Sequence, residues 1–546
     1  MFRYKLESMN ILIVSINAKH FHKSLAPWCL KSFVEAQGQD FNIEIFERDI
    51  NDSGTELLYE ICAAIDNREL KVVAFSCYIW NIEFVKKVAY NLKKIRPKVK
   101  IVLGGPEVIA ENSLENYPFA DLIIKGAGEM SFYNALVDYE TNGKFIASVV
   151  ESNNCHFALF SSPFTREYFK SFELDKLPVD KKLVYYESSR GCPFNCAYCL
   201  SSSSKGIFEL SLDRVEKELR QLVEFGIKVI KFVDRTANAN RARFIKILEF
   251  IKLLDTDCVF HFEVAPDLFS DELLDIIKTL PKARVQFELG IQSFNENALR
   301  AVNRRQDADY ATHNIKQLVK NGNCHIHVGL IAGLPFETLD SFILSINKAM
   351  ELKAHCVQLG FLKLLKGAEL NNVDMGGAIF DDKAPYSVLK TDTMSTDDLL
   401  LLYKIDKIID KFYNKGAFLE TINFASSKIF SSSLEFLKNL ASYLEQNKLQ
   451  ANMSLKNAYS ALYDFLVLSG ANIDEIVHYI KFDCFSFDRN GLSLPPQIQK
   501  QTVKSNDVEK GKGKAQVATE YFSLTNQIFT FTYDKKCPIT NRYSYK

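Results

Sequence analysis

The stretch Glu187–Leu200 reads ESSRGCPFNCAYCL, and it places Cys192, Cys196 and Cys199 in a C-x3-C-x2-C array. The apolar and aromatic run before it, 183–187, is typical of a β-strand, and the glycine and proline inside the stretch are typical of a turn. Three thiolates on one short loop can bind three irons of a four-iron, four-sulfur cluster and leave the fourth iron open to a small chelating ligand. The spacing therefore predicts a 4Fe-4S site on a loop that follows a strand.

A zinc site is the alternative for the same three thiols. Structural zinc usually takes four ligands, often from two C-x2-C pairs, and no fourth ligand lies near the array in sequence. A distant residue such as Cys324 or His327 could supply it. This alternative would make the chain a zinc-stabilised binding or sensor protein rather than an enzyme.

The composition is that of a globular protein with several domains. At about 150 residues per domain, 546 residues predict three domains or so. Hydrophobic residues make up 47% of the chain and charged residues 25%, which suits domains with well-formed cores. Lys+Arg and Asp+Glu balance at 67 each, and this zero net charge argues against a general nucleic-acid or anionic-membrane binder.

The remaining cysteines indicate a reducing compartment. Three of the 12 belong to the array, and the other nine are scattered singly. The apolar run 11–16 is too short for the core of a secretory signal, and no run of about 18 apolar residues predicts a membrane span. We therefore expect a cytoplasmic protein with no membrane segment, whose single thiols fill cores.

Short apolar runs alternate with helical patterns over 9–150. This alternation predicts an α/β domain, a parallel sheet with helices on both faces, in which ligands bind at the carboxyl ends of the strands. The expected strands are 11–16, 43–47, 72–76, 99–103 and 121–125, and the expected helices are 25–37, 55–66, 82–95 and 129–139.

Polar residues and glycines follow these strands directly, and glycine lets a backbone approach a bulky ligand closely. From the sheet pattern alone the ligand could be a nucleotide or nothing, because no G-x-G-x-x-G with a dinucleotide context is present. The candidate binding residues are Asn17, Ala18, Ser76, Tyr78, Gly104, Gly105, Pro106, Glu107, Gly126, Gly128 and Glu129.

A second β-α series covers 183–370, after a connector at 151–182 that carries strand candidates near 145–151 and 155–160. Six repeats of about 30 residues predict a partial (β/α)6 barrel, with its chemistry at the strand carboxyl ends. The expected strands are 183–188, 228–233, 258–264, 284–290, 325–331 and 355–361, and the expected helices are 211–225, 240–254, 270–280, 306–321 and 337–351.

The strand ends of this series carry polar residues with two open interpretations. Asp234 could accept hydrogen bonds from an ammonium group and Arg235 could pair with a carboxylate. The structural alternatives are a helix N-cap for Asp234 or Thr236 and a tight turn at Gly333. The other residues singled out at these ends are Glu263, Glu288, Gln292 and Ser293.

The region 380–546 loses the sheet pattern and is expected to be mainly helical, with helices in 395–412, 415–447, 455–467 and 473–481. Helical spacing of its apolar residues is typical of a packed core. The polar stretch 498–516 predicts a disordered linker, and the tail IFTFTYDKK alternates like a strand.

The cysteine array has the form C-x3-C-x-aromatic-C, with Tyr198 at the aromatic position, and it resembles the signature of the radical S-adenosylmethionine (SAM) enzymes. The resemblance implies that SAM binds the open iron through its amino and carboxylate groups. FVDRT, ELGIQS and GLIAGLPFET resemble the secondary SAM-binding elements of the family. The SAM-binding residues implied are Tyr198, Asp234, Arg235, Thr236, Glu288, Gln292, Ser293 and Gly333.

The strings INAKHFHKSLAP, IVLGGPEV and IIKGAGEMSF resemble the Rossmann-like cobalamin-binding domain that precedes many radical SAM barrels. The resemblance implies that cobalamin is the ligand of the 11 candidate residues at the first sheet. The chain departs from the usual pattern because the D-x-H-x-x-G motif, whose histidine coordinates cobalt, is absent. We expect His20 and His22 in the first loop to face solvent.

By resemblance, the chain is a radical SAM protein that cleaves SAM reductively and, with cobalamin, methylates an unactivated carbon of an unknown substrate. Rearrangement or cyclisation without methyl transfer is the alternative among enzymes. A one-electron donor such as flavodoxin or ferredoxin is the implied partner. The region after 380 resembles a helical C-terminal domain attached to one branch of these proteins.

Overall fold

A computed structural model describes residues 9–152, 157–174, 177–203, 206–449, 452–500 and 517–546. The chain forms an N-terminal sheet domain, a partial barrel and a C-terminal domain that is mainly helical. Within the described ranges, each helix is too short or too polar to cross a bilayer.

The N-terminal domain is built on a parallel six-stranded sheet in the order β3-β1-β4-β5-β6-β7. Each of its five predicted strands is confirmed. In chain order the elements are β1 (Met9–Asn17), β2 (His22–Lys23), α1 (Ala26–Ala36), β3 (Phe41–Asp49), α2 (Gly54–Arg68), β4 (Val72–Ser76), α3 (Ile82–Ile95), β5 (Lys100–Gly104), β6 (Leu122–Gly126), α4 (Gly128–Asn142) and β7 (Val149–Ser152).

Both faces of this sheet are covered, because its strands are apolar on both sides. Leu12 and Val14 point into one core, and Ile11 and Ile13 point into the other. The covering helices bury apolar residues at helical spacing, as the buried face of α3 shows. Because helices cover both faces, a ligand can reach this sheet at its carboxyl edge, where the candidate ligand residues lie.

The connector does not form the strand predicted near 155–160. Residues 155–156 lie outside the described ranges, and Phe157–Leu159 is a single 3-10 turn. Its aromatic rings pack between the domains instead of along a sheet: Phe160 meets Phe33 with a centroid separation of 5.0 Å. Beyond this turn the connector contains α5 (Arg166–Lys170).

The barrel contains the six parallel strands predicted for it, so the partial (β/α)6 barrel is confirmed. Its helices also match, and one short helix, α9, was not predicted. The elements are β8 (Leu183–Tyr186), β9 (Ser189–Gly191), β10 (Ile207–Glu209), α6 (Leu212–Glu224), β11 (Val229–Phe232), α7 (Arg241–Leu253), β12 (Val259–Val264), α8 (Asp271–Lys278), β13 (Val285–Gln292), α9 (Glu296–Ala301), α10 (Ala308–Asn321), β14 (His325–Ala332), α11 (Leu339–Glu351) and β15 (Cys356–Phe361).

The N-terminal domain supplies a seventh strand to the barrel sheet, which runs β15-β14-β13-β12-β11-β8-β2. His22 pairs with Leu183 in parallel register, and the Leu183 N–H donates to the Phe21 carbonyl at 2.9 Å. His22 is half-buried, with Nδ1 3.1 Å from the Tyr185 hydroxyl. The expectation of a solvent-facing His22 is therefore wrong, whereas His20 is exposed as expected.

The opposite edge of the barrel sheet is covered by the C-terminal domain. The Asn414 side chain accepts from the Val357 N–H at 2.9 Å and donates to the Val357 carbonyl at 3.0 Å. These are the two backbone groups of β15 that a further strand would use. The Tyr413 hydroxyl donates to the Ala354 carbonyl at 2.7 Å. Both edges are thus protected from pairing with other chains.

The C-terminal domain is mainly helical, as predicted, but it also holds a small antiparallel sheet in the order β18-β19-β20. The stretch 415–447 forms two helices, because Ser432 caps a new one. The elements are β16 (Ile379–Phe380), β17 (Val388–Lys390), α12 (Thr396–Ile408), a π-helical turn Ile409–Asn414, α13 (Leu419–Lys428), α14 (Ser433–Gln446), α15 (Leu455–Leu468), α16 (Ile473–Phe487), β18 (Val517–Phe522), β19 (Gln527–Thr532) and β20 (Ser544–Tyr545). Residues 501–516 of the predicted linker lie outside the described ranges.

Candidate functional site

The cysteine loop lies between β9 and β10, which pair as an antiparallel ribbon at the carboxyl end of β8. Gly191 ends β9 with φ +99°, and a Cβ there would collide with the Gly206 carbonyl oxygen. Glycine is therefore required where the loop begins. Within the loop, the Cys199 N–H donates to the Cys196 carbonyl at 3.0 Å and forms a tight turn.

Each thiol of the array has its own polar neighbour. Cys192 Sγ lies 3.5 Å from Thr236 Oγ1, and Cys199 Sγ accepts from the Ser201 N–H at 3.4 Å. The Arg304 guanidinium lies 3.9 Å from the sulfur of Cys196, which is buried. Each sulfur of the array therefore has a polar or charged group beside it that could also contact a metal-bound sulfur.

The geometry does not add support for the zinc alternative. In the described ranges no three His, Cys, Asp or Glu side chains converge on a point that could hold a single ion. Cys324, a proposed fourth zinc ligand, is fully buried in the barrel core. In a four-iron cluster each thiolate would bind a different iron, so a cluster would not require the three sulfurs to converge on one point.

Two backbone hydrogen bonds fix the middle of the cysteine loop. The Ala197 N–H donates to the Val302 carbonyl at 2.9 Å, and the Ala197 carbonyl accepts from the Leu370 N–H at 2.7 Å. Tyr198 packs half-buried against the core beside these contacts, and burial raises the pKa of its phenol far above the usual value. The predicted contact of Tyr198 with SAM stays a prediction.

Asp234 binds the residues that lead into the cysteine loop. It is fully buried, and its carboxylate accepts from the Ser188 N–H at 2.9 Å, the Ser188 hydroxyl at 2.6 Å and the Ser189 hydroxyl at 2.5 Å. Burial raises the pKa of Asp234 to about 6, although the hydrogen bonds from the two serines lower it. Of its neighbours, Arg235 is exposed and Thr236 touches Cys192.

The predicted SAM residues of β13 do not share one environment. Glu288 lies on the inner wall, 3.1 Å from both Lys231 Nζ and His261 Nε2, and these contacts lower its pKa to about 2. The Gln292 amide lies over Gly290 near the cysteine loop. Ser293 is fully buried and donates to Glu337, so it is turned into the protein.

Gly333 fits its predicted turn, with φ +85°, and a Cβ there would lie 2.9 Å from Val388 Cγ1.

Arg304 lies beside the cysteine loop and was not predicted from the sequence as a site residue. Its guanidinium donates to the Gly290 carbonyl at 2.7 Å while reaching Cys196. The sequence feature that could have indicated Arg304 is the run Asn303-Arg304-Arg305, which begins 11 residues after Gln292, the last residue of β13. A guanidinium here can pair with a carboxylate of a bound ligand.

At the N-terminal sheet, several predicted cobalamin residues hold the first loop. The Asn17 amide donates to the His22 carbonyl at 3.1 Å and to Glu47 at 3.3 Å. Ser76 Oγ donates to Ser15 Oγ at 3.3 Å, and Ala18 is half-buried beside Asn17.

An aromatic pair lies at the same edge. The rings of Tyr78 and Trp80 stack with centroids 4.3 Å apart and planes 8° apart. Trp80 was not among the cobalamin-binding residues predicted from the sequence. It is 44% exposed, and its indole N–H donates to the Ile16 carbonyl at 3.0 Å. A flat exposed ring beside glycine loops fits a flat ligand such as a corrin.

The glycine loops are set by backbone contacts. Gly105 has φ +113°, and a Cβ there would lie 2.5 Å from the Cys77 carbonyl oxygen; at Gly126, with φ +76°, it would lie 2.6 Å from that of Ser152. By contrast, a Cβ on Gly104 would meet nothing closer than 3.7 Å, and one on Gly128 would meet Leu30 at 3.1 Å.

Two predicted cobalamin carboxylates are engaged by other domains. Glu107, which follows Pro106, is buried and accepts from the Tyr386 hydroxyl at 2.7 Å. Glu129 is buried and pairs with Arg190 of β9, next to the cysteine loop, at 2.9 Å. The carboxyl edge of the first sheet is thereby joined to the strand that leads into the cysteine loop.

Three family models match separate parts of the chain. Residues 11–136 match the B12 binding domain, 186–349 the radical SAM superfamily, and 376–541 a family described as a protein of unknown function, DUF4080.

Individual relatives agree with these matches. The chain is 26% identical over 349 residues, 61% of its length, to an uncharacterized methyltransferase of Pyrococcus horikoshii, PH0819, and covers 74% of it. It is 25% identical over 331 residues, 56% of its length, to the cobalamin-dependent radical SAM methyltransferase TokK of Streptomyces tokunonensis, and spans 48% of that protein.

A solved structure shows the same fold. The cobalamin-dependent S-adenosylmethionine radical enzyme OxsB, with aqua-cobalamin bound, superposes with a TM-score of 0.59 at 13% identity, over 87% of this chain and 79% of OxsB. The chain therefore carries a B12 binding domain, a radical SAM domain and a C-terminal DUF4080 domain, and the first two imply SAM, a 4Fe-4S cluster and cobalamin as cofactors.

Proposed function

We propose that the chain is a cobalamin-dependent radical SAM methyltransferase that methylates an unactivated carbon of its substrate. The observation that carries this proposal is the ion pair between Glu129, at the carboxyl edge of the first sheet, and Arg190, which lies just before the cysteine loop. This ion pair supports an arrangement in which the two cofactor sites serve one substrate.

The residues of the chain have distinct parts in this proposal. Cys192, Cys196 and Cys199 bind the cluster, and Arg304 pairs with the carboxylate of SAM beside Cys196. The stacked pair of Tyr78 and Trp80 lies against the corrin. When bound, these groups supply one-electron cleavage of SAM and carriage of a methyl group, while the protein orients them and excludes water.

The proposal also includes the source of the electron and the compartment. Reductive cleavage of SAM takes one electron, and a flavodoxin or ferredoxin is the donor class that matches this need. No disulfide bond joins the 11 cysteines of the described ranges. Reduced thiols and a reducible cluster both suit the cytoplasm, where thiols stay reduced.

We expect the variant Cys196→Ala to lose SAM cleavage, because a cluster held by two thiolates is not retained in the form that leaves one iron open. The measurement is 5′-deoxyadenosine formed by anaerobically reconstituted protein with SAM and a reductant. The matched control is Cys537→Ala, a half-buried thiol of the C-terminal domain, which should keep wild-type cleavage.

Cleavage retained in Cys196→Ala would contradict the ligand assignment. Iron content and the electron resonance spectrum of the same samples decide the zinc alternative, because zinc without iron would end the radical interpretation. Neither result depends on knowing the substrate.

Methyl transfer is tested with SAM that carries a trideuterated methyl group. In the presence of a small-molecule extract, S-adenosylhomocysteine formed together with 5′-deoxyadenosine, and one extract compound that gains the labelled methyl group, would support the proposal. Formation of 5′-deoxyadenosine alone would favour rearrangement or cyclisation instead.

A further inference from the structure

Arg190 lies two residues before Cys192, and two carboxylates from different domains bind its guanidinium. Nη2 is 2.9 Å from Glu129 Oε1 and Nη1 is 3.2 Å from Glu129 Oε2, which is a bidentate pairing. Nε and Nη2 donate to the carboxylate of Glu187 at 3.1 and 2.7 Å. The guanidinium therefore bridges the N-terminal domain and the end of the first barrel strand.

The bridge is shielded from water. The side chain of Glu129 is 5% exposed and that of Arg190 is 23% exposed. The ring of Phe157 covers the guanidinium, with its centroid 4.6 Å from the central carbon. Without Glu129 the guanidinium would keep Glu187 but lose both hydrogen bonds that come from the N-terminal domain, so the tie between that domain and Arg190 depends on Glu129.

Glu129 and Arg190 lie on two elements that have different roles. Glu129 lies in the first turn of α4, where its charge is also favoured by the helix N-terminus. Arg190 lies in β9, where it is opposite Phe208 of β10, and β9 leads directly into the cysteine loop. A shift of α4 against the barrel would therefore move β9, and with it Cys192.

We propose that Arg190 is a positioning residue that makes the geometry of the cysteine loop depend on docking of the cobalamin-binding domain through Glu129. This rests on the proposed function and adds its regulation: SAM is cleaved efficiently when the N-terminal domain is seated on the barrel. It also gives Glu129 a role other than the cobalamin contact implied by resemblance.

The first test uses the full-length protein without cofactors. In Glu129→Gln, the amides of 189–199 should exchange hydrogen on the order of tenfold faster than in the wild type. The matched control is Glu167→Gln. Glu167 also pairs with a residue of the N-terminal domain, Lys31, at 2.8 Å, but its side chain is 60% exposed. The control should leave loop exchange unchanged.

The second test uses reconstituted protein. Glu129→Gln should keep its iron and bind cobalamin, while the electron resonance signal of the reduced cluster shifts and SAM binds on the order of tenfold more weakly. Arg190→Lys, which cannot bind in the bidentate manner, should be intermediate.

The outcomes separate the two proposals. Wild-type loop exchange and a wild-type resonance signal in Glu129→Gln would overturn the positioning role. Loss of cobalamin binding with an unchanged cluster signal would overturn it too, and would make Glu129 a cobalamin contact. If the wild type holds no iron, the proposed function fails, and hydrogen exchange in the cofactor-free protein still decides the role of Arg190.

Discussion

At the scale of single residues, three carboxylates that motifs assigned to ligands are engaged by the protein. Asp234 binds Ser188 and Ser189, Glu107 binds Tyr386, and Glu129 binds Arg190. The motifs could predict the position of each acidic group in the fold, because the ends of strands can be recognised in the sequence. They could not predict its partner, since each of these partners lies more than 40 residues away in the chain. The array of cysteines was predictable because its chemistry is local.

Asp234 leads to a prediction about pH. Its native pKa of about 6 lies above the ordinary value of 3.8, so the native state binds the proton more tightly than the unfolded chain. The free energy of unfolding therefore falls as pH rises through this window, by about 3 kcal/mol for this group. In Asp234→Asn this titration is absent. Denaturant unfolding of cofactor-free protein, followed by circular dichroism at several pH values, measures the difference.

The control for this experiment is Asp213→Asn, an exposed aspartate in the first turn of α6, which makes the same substitution where no buried carboxylate is lost. A difference between wild type and Asp234→Asn that does not change between pH 4 and pH 6 would contradict the environment described for Asp234.

At the scale of elements, hydrophobic spacing predicted the main strands and helices of both β-α series. The strands β1, β4 and β12 are apolar runs with defined ends. Such runs can be recognised because a strand that is buried on at least one face has a hydrophobic pattern. Short elements were not predictable. The strand β2 has two residues, and it exists because β8 offers an open edge. The Asn414 cap on β15 likewise depends on tertiary contact.

The cap leads to a prediction for Asn414→Ala. The Val357 N–H and carbonyl would lose their partners, and each unsatisfied group costs about 1–3 kcal/mol. We expect the local opening free energy of β15, measured by hydrogen exchange at Val357, to fall by that amount. The control is Asn439→Ala in α14, whose amide donates to the Glu435 carbonyl in an exposed position. Equal protection of Val357 in both variants would contradict the cap.

At the scale of the whole molecule, the C-terminal domain is tied to the N-terminal domain as well as to the barrel. The Tyr386 hydroxyl of the C-terminal domain donates to Glu107, and Gly367, at the end of the barrel region, approaches Ile109 so closely that a Cβ there would lie 2.8 Å from Ile109 Cγ2. The order of the domains was legible from motifs and composition. Their mutual contacts were not, because they join loops that carry no regular pattern.

This arrangement predicts that Tyr386→Phe destabilises the N-terminal domain, although Tyr386 lies in the C-terminal part of the chain. Glu107 would stay buried without its donor, at a cost of about 1–3 kcal/mol. Both tryptophans of the chain, Trp28 and Trp80, lie in the N-terminal domain, so fluorescence monitors that domain selectively.

The denaturant midpoint from fluorescence should fall in Tyr386→Phe. It should not fall in Tyr403→Phe, whose ring stacks on Phe361 at 3.6 Å and is retained as phenylalanine. An unshifted midpoint for Tyr386→Phe would mean that the link to Glu107 adds nothing to the N-terminal domain.

The strand β2 limits how the N-terminal domain and the barrel can separate. It begins five residues after the end of β1, so one short segment is hydrogen-bonded first into one sheet and then into the next. Any separation of the two domains must therefore first break the β2–β8 pairing.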